Sequence, residues 1–158
     1  MYIFAIALCL CVAYFILTAL FGYFFTNKIP KFSSQALISV LTIFVSSMFG
    51  YAIALSIPDL EFGNRFLHAY GGGFMAVLVC FLVVKDSKLH INKFQFVVFS
   101  LLIATALGVA NEILEFFLQN FLNLVFMRNI NDTWYDLMSN TVGMSIAAIL
   151  FTPFIKRK

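Results

Sequence analysis

The stretch that decides the fold is residues 94–119, FQFVVFSLLIATALGVANEILEFFLQ. It carries no charge from Phe94 to Asn111, and its first ionisable residue is Glu112. At about 1.5 Å per residue a helix carries Glu112 about 27 Å beyond Phe94, close to the roughly 30 Å of hydrocarbon in a bilayer. The stretch therefore reads as a membrane-crossing helix with two carboxylates, Glu112 and Glu115, at its far interface.

Four other stretches are long and apolar enough to cross in the same way: 2–25, 35–57, 66–84 and 134–154. The expected fold class is all-α, a polytopic bundle of about five transmembrane helices forming one integral membrane domain over residues 1–158. Composition agrees, since 63% hydrophobic and 11% charged residues lie outside the range of soluble domains. The connections carry turn and polar signals: Thr26 to Ser34 with Pro30, Pro58 to Asn64 with Gly63, Lys85 to Lys93, and Asn120 to Asp132. Phe121 to Met127 is apolar but too short to cross, so it extends the fourth helix or lies in the interface. The first segment lacks a basic leader and exceeds a signal h-region of about 7–15 residues, so it is expected to remain as an anchor. Cys9, Cys11 and Cys80 sit inside apolar runs without metal-binding or redox spacing and read as small apolar side chains.

Orientation follows from the basic residues. Lys28 and Lys31, then Lys85, Lys88 and Lys93, then Lys156, Arg157 and Lys158 fall on one side; Arg65 and Arg128 fall on the other. This alternation predicts a multi-pass protein of the cell membrane with its N-terminus outside and its C-terminus cytoplasmic. The basic residues form no stripe interleaved with aromatics, so nucleic acid is not an expected partner. Asp59, Glu61, Glu112, Glu115, Asp132 and Asp136 then gather at the outer side, and Asp86 is the exception.

Three helix ends at that level show polar residues at helical spacing. Arg65, His68 and Gly72 open the third helix, Glu112, Glu115 and Gln119 end the fourth, and Asp132, Asp136, Asn140 and Gly143 open the fifth. An ionised side chain facing hydrocarbon costs at least about 2.5–3.5 kcal/mol, so the stripes are expected to face one another or a wet cavity. Small residues at Ser139, Gly143 and Ala147, at Ala104 and Gly108, and at Gly71 to Gly73 would let the helices approach closely. Ser46, Gly50 and Ala54 read as a packing seam alone. The candidate ligand-binding residues are Arg65, His68, Glu112, Glu115, Gln119, Arg128, Asp132, Asp136 and Asn140.

The string Asp136-Leu-Met-Ser-Asn140-Thr141-Val-Gly143 resembles the Asp-x-x-x-Asn-Thr-x-Gly signature of VanZ-like membrane proteins. The opening Asn64-Arg65-Phe-Leu-His68-Ala-Tyr-Gly71-Gly72 and the Glu-bearing end Glu112-Ile-Leu-Glu115-Phe fit the same pattern. Asp132-Thr-Trp-Tyr-Asp136 with Glu112-x-x-Glu115 looks like the related YjdF-type inner-membrane proteins. The resemblance spans about residues 60–150 and departs where VanZ-like proteins have Asp-Lys for Asn64-Arg65 and Glu-x-x-Gln for Glu112-x-x-Glu115. It implies a cell-envelope protein, from a family with members linked to antibiotic resistance against glycopeptides that bind lipid-linked cell-wall precursors.

Two functions stay open, beside a structural ion-pair cluster, Arg65 with Asp136 or Glu115, that would only fix helix order. One is binding of a lipid head group or lipid-linked cell-wall precursor at the outer face, with Arg65 and Arg128 as phosphate contacts. The other is a membrane-embedded metal-dependent hydrolase or transferase, with His68, Glu112, Glu115, Asp132 and Asp136 supplying imidazole and oxygen ligands. Membrane lipids are the expected surroundings in either case; cofactor identity and oligomeric state have no signature in the sequence. No grouping for covalent catalysis occurs, and His90 beside Lys88 reads as solvated. The topology yields a test: a reporter active only in the cytoplasm should work when fused after Lys158 and be silent within Pro58 to Asn64. The reverse pattern would put the polar cluster on the inner side.

Overall fold

The computed structural model describes residues 2–27, 33–123 and 130–155. Among them every regular element is helical, and five helices are long and apolar enough to cross a membrane. The first is Tyr2–Thr26, the second Ser34–Leu55, the third Leu60–Asp86, the fourth Lys93–Leu122, and the fifth Ile130–Phe151 with a closing 3₁₀ turn, Thr152–Phe154. The polytopic all-α reading therefore holds.

Side-chain caps set the boundaries. Ser33 accepts a hydrogen bond from the Ala36 amide at the start of the second helix. Asn92 and Gln95 form a reciprocal capping box at the start of the fourth, both bonds 2.8 Å. The third helix begins at Leu60, earlier than its apolar pattern suggests, because the Asp59 carboxylate caps the amides of Glu61 and Phe62 at 2.9 and 3.0 Å. Of the expected connection Pro58 to Asn64, residues 60–64 are thus helical. The fourth helix runs on through Phe121 and Leu122 and stops where Asn123 turns left-handed, φ 54°. Residues 124–129, including Arg128, lie outside the described residues. The fifth helix begins at Ile130, a turn before the expected position, with Asp132 in its first turn, where a carboxylate opposes the helix dipole.

The third helix is the central one. Half of its apolar window is buried, against 22–28% for the other four, and it packs on each of them. The first and second helices pair on one side of it, and the fourth and fifth on the other. Apolar packing forms two clusters, one around Cys80, Phe96, Ala104 and Ala147, the other around Tyr14, Ile43, Val79 and Val83. Tyr14 also donates its hydroxyl to Asp86 Oδ2 at 2.6 Å, tying the first helix to the end of the third. The Ser46, Gly50 and Ala54 face packs on the third helix: Tyr70 donates to the Ser46 carbonyl at 3.2 Å, and its ring fills the space beside Gly50.

Between Leu67 and Met75 the third helix widens into a π-helical stretch, His68–Phe74, closed by a bond from the Met75 amide to the Tyr70 carbonyl five residues back. This widening was not legible in the apolar pattern. It carries Gly71, Gly72 and Gly73, and it lies directly against the fifth helix. A Cβ on Gly73 would meet the Asn140 carbonyl oxygen and stand 2.7 Å from the Met144 nitrogen. A Cβ on Gly143 would collide with the Ala69 backbone. Backbone meets backbone here because side chains are absent on both helices. Gly143→Ala should therefore lower stability by about 1–3 kcal/mol through overpacking, whereas Gly71, with nothing within 4 Å of its would-be Cβ, should accept alanine freely. Thermal unfolding of the two variants in detergent compares them directly.

Candidate functional site

At one end of the bundle the third helix begins, the fourth ends and the fifth begins, so steps of three or four residues stack their side chains in matching layers. Nearest the end are Asn64, Glu115 and Asp132. One turn deeper are His68, Glu112 and Asp136, and one turn deeper again are Gly72, Gly108 and Asn140. The fourth helix buries Ser100, Ala104, Gly108 and Glu112 at every fourth position, and the fifth buries Asp136, Asn140, Gly143, Met144 and Ala147. Each polar stripe is thus the continuation of a packing stripe, turned inwards by its small residues.

The middle layer holds the chemistry. His68 stands between two carboxylates, its Nε2 3.4 Å from Asp136 Oδ2 and its Nδ1 3.6 Å from Glu112 Oε1. The second distance is too long for a hydrogen bond. Among the described residues Glu112 Oε1 has no hydrogen-bond partner, although Glu112 is only 7% exposed. The side chains of Thr133 and Asn111 also act on the Glu112 carboxylate. Asp136, 3% exposed, accepts from Asn64 Nδ2 at 3.2 Å on Oδ1 and 3.4 Å on Oδ2. Glu115 accepts from Asn111 at 2.7 Å, and His68, Glu112 and Glu115 each offer a ligand atom within 4.8 Å of the others. These three could hold a metal ion.

Among the described residues the balance of charge is negative: Glu112, Glu115, Asp132 and Asp136 gather in this cluster, and the cations near it are Arg65 and, when protonated, His68. Arg65 lies over the Tyr135 ring, 4.0 Å from its centroid, and 3.8 Å from Glu61. Its charge also acts on Asp136. A surplus of carboxylates in a poorly solvated place must be protonated or neutralised by a cation.

The structure brings His68, Glu112, Glu115, Asp136 and Asn140 together, with Asp132 in the layer nearest the end. Gln119 lies a further turn along the fourth helix and is partly buried. Asn64 was quoted in a motif but not chosen as a site residue; its place four residues before His68 was the available signal. Tyr135, outside the candidate set, carries the Arg65 guanidinium on its ring face. Asn111 and Thr133 gave no signal beyond lying one turn from Glu115 and Asp136.

A family model described as predicted membrane protein (DUF2238) matches residues 3–157. The chain belongs to this family. The DUF2238 match covers all five helices and both faces of the site, which makes the chain a membrane protein over nearly its whole length. No curated protein and no solved structure matches it. For this DUF2238 protein the contact between Asn64 and Asp136 gives a further test. Asn64→Asp exchanges a donor for a second carboxylate at hydrogen-bond distance, and should destabilise the fold by about 1–3 kcal/mol; Asn64→Gln, which keeps the donor, should cost less. Unfolding temperatures of the two variants decide it.

Proposed function

We propose that this chain is a cell-envelope membrane protein that binds a divalent cation at the outer end of its bundle and uses it to act on a lipid-linked substrate, as a hydrolase or transferase. The observation that carries the reading is Glu112 Oε1: a buried carboxylate oxygen without a hydrogen-bond partner among the described residues, facing His68 Nδ1 across 3.6 Å. Two donors sharing one ion at about 2.0–2.2 Å each stand about 3–3.6 Å apart. Glu115 supplies a third donor within 4.8 Å of both. Asp136 takes a different part, because it faces the other imidazole nitrogen. A carboxylate behind a ligating histidine fixes its tautomer and orientation.

Three protein ligands leave coordination positions open for water and substrate. A divalent ion there would polarise a phosphoryl or acyl oxygen and activate water. The Glu115 oxygen not bound to the ion would accept the proton from that water. The VanZ-like resemblance and the eight-to-two split of basic residues support an outer-leaflet site and a head group or cell-wall precursor as the substrate. Binding without chemistry is the second reading, favoured by Arg65, whose side chain is 30% exposed at the rim and stacked on Tyr135.

Metal analysis of the purified protein tests the centre. A stoichiometric divalent ion should be present or taken up on addition, lost in Glu112→Gln and His68→Ala, and bound about 10–100-fold more weakly in Asp136→Asn. Protein that neither takes up an ion nor changes its unfolding temperature with added ions or chelator would remove the reading. Phosphate release from vesicles carrying a phosphorylated polyprenyl lipid then separates enzyme from binder: metal-dependent turnover favours the first, saturable binding alone the second.

A further inference from the structure

Asn140 is 1% exposed, and among the described residues neither its Oδ1 nor its Nδ2 has a hydrogen-bond partner. Glycines on two neighbouring helices make room for it. A Cβ on Gly72 would fall on Oδ1, and one on Gly108 would stand 2.9 Å from Nδ2. Rotating the amide by half a turn exchanges its two polar atoms without moving the backbone, so either side of the slot can receive the oxygen.

Side chains on a helix lean towards that helix's N-terminus. The fifth helix starts at the site end, so Asn140 leans up towards the layer of His68 and Asp136. The fourth helix finishes there, so Glu112 leans down towards Gly108 and the amide beyond it. The two side chains thus lean towards each other's layers; among the described residues Glu112 Oε1 and the Asn140 amide lack hydrogen-bond partners, and His68 Nδ1 lies 3.6 Å from Glu112 Oε1. An amide held only for packing would have its bonds made within the bundle, since at this depth little water can make them.

Resting on the metal reading above, we infer that Asn140 is the inner ligand of the ion, coordinating through its amide oxygen while its nitrogen donates to Glu112. The donor set then becomes one imidazole nitrogen with oxygens from Glu112, Glu115 and Asn140. Such an oxygen-rich set suits a hard divalent ion such as Mn2+ better than Zn2+, which favours nitrogen and sulfur. Asn140 therefore decides which metal the site prefers, and the remaining positions are filled by water or substrate oxygens.

The experiment titrates Mn2+ into the full chain in detergent, following loss of the EPR signal of hydrated Mn2+, and repeats it in competition with Zn2+. In Asn140→Ala, Mn2+ affinity should fall at least tenfold and Zn2+ affinity by less, whereas Asn140→Asp should retain Mn2+. Gly72→Ala leaves every ligand in the sequence but pushes on the amide, and should reproduce the loss; Gly71→Ala should bind like the parent. If the parent binds neither ion, the metal reading itself fails and this inference falls with it. If the parent binds and Asn140→Ala keeps both its affinity and its preference, this inference alone is overturned. Should Asn140→Ala not fold, Gly72→Ala decides: parental Mn2+ binding overturns the inference and a tenfold loss upholds it.

Discussion

The backbone contact between the third and fifth helices governs the rest of the structure. Gly73 lies against Asn140 and Met144, and Gly143 against Ala69, so close that no Cβ fits between them. In a bilayer this contact cannot come from hydrophobic driving force, because lipid tails are as apolar as the side chains they would replace. It comes from dispersion between closely apposed backbones, and glycine is what permits the approach. The approach places His68 beside Asp136 and Gly72 beside Asn140. A larger residue at either glycine would separate the helices and open the imidazole–carboxylate contact before it altered any ligand.

The fourth helix completes the site by a different means. Its buried stripe of Ser100, Ala104, Gly108 and Glu112 lies along the same inner face, so the packing that seats the helix also delivers the Glu112 carboxylate to His68. Placement of a charge and burial of an apolar face are therefore one event. At the opposite end of the bundle Asp86 receives the Tyr14 hydroxyl at 2.6 Å, which tethers the first helix. There a lone carboxylate meets a phenol, while the site end gathers four carboxylates around one histidine.

Much of this was legible in the sequence because lipid imposes strong rules. Length and hydropathy marked all five spans, and the exclusion of charge from hydrocarbon turned the Glu112, Asp136 and His68 stripes inwards. The glycines at 72, 108 and 143 announced close approach, although which backbone or amide each would meet required the fold. The π-helical stretch could not be read: it depends on the long-range fit of His68–Phe74 to the fifth helix, which no local apolar period records. The early start at Leu60 was hidden because Glu61, Asn64 and Arg65 interrupt the apolar run, even though Asp59 supplies the cap. Arg65 was legible only in part. Charge counting offered it to the carboxylates or to a phosphate, but its neighbours at that depth include the Tyr135 face and Glu61.

The distinction between a structural polar cluster and a working one rests on satisfaction. A cluster that merely fixes helix order does best when its charges balance and its donors and acceptors match, since each buried polar group left unpaired costs about 1–3 kcal/mol. The contact of Asn64 with Asp136 and that of Asn111 with Glu115 meet that standard. Glu112 Oε1 and the Asn140 amide do not, and they lie in the deeper half of the site, where water is least able to help. Apolar residues at 112 and 140 would remove that cost, though the helices would have to part to admit them beside Gly108 and Gly72. Gly72 and Gly108 leave room for an amide that has no partner among the described residues, which helix packing alone does not require. A bound cation would offset the surplus charge and supply the missing bonds together, whereas protonation would lower the charge and turn Glu112 from an acceptor into a donor.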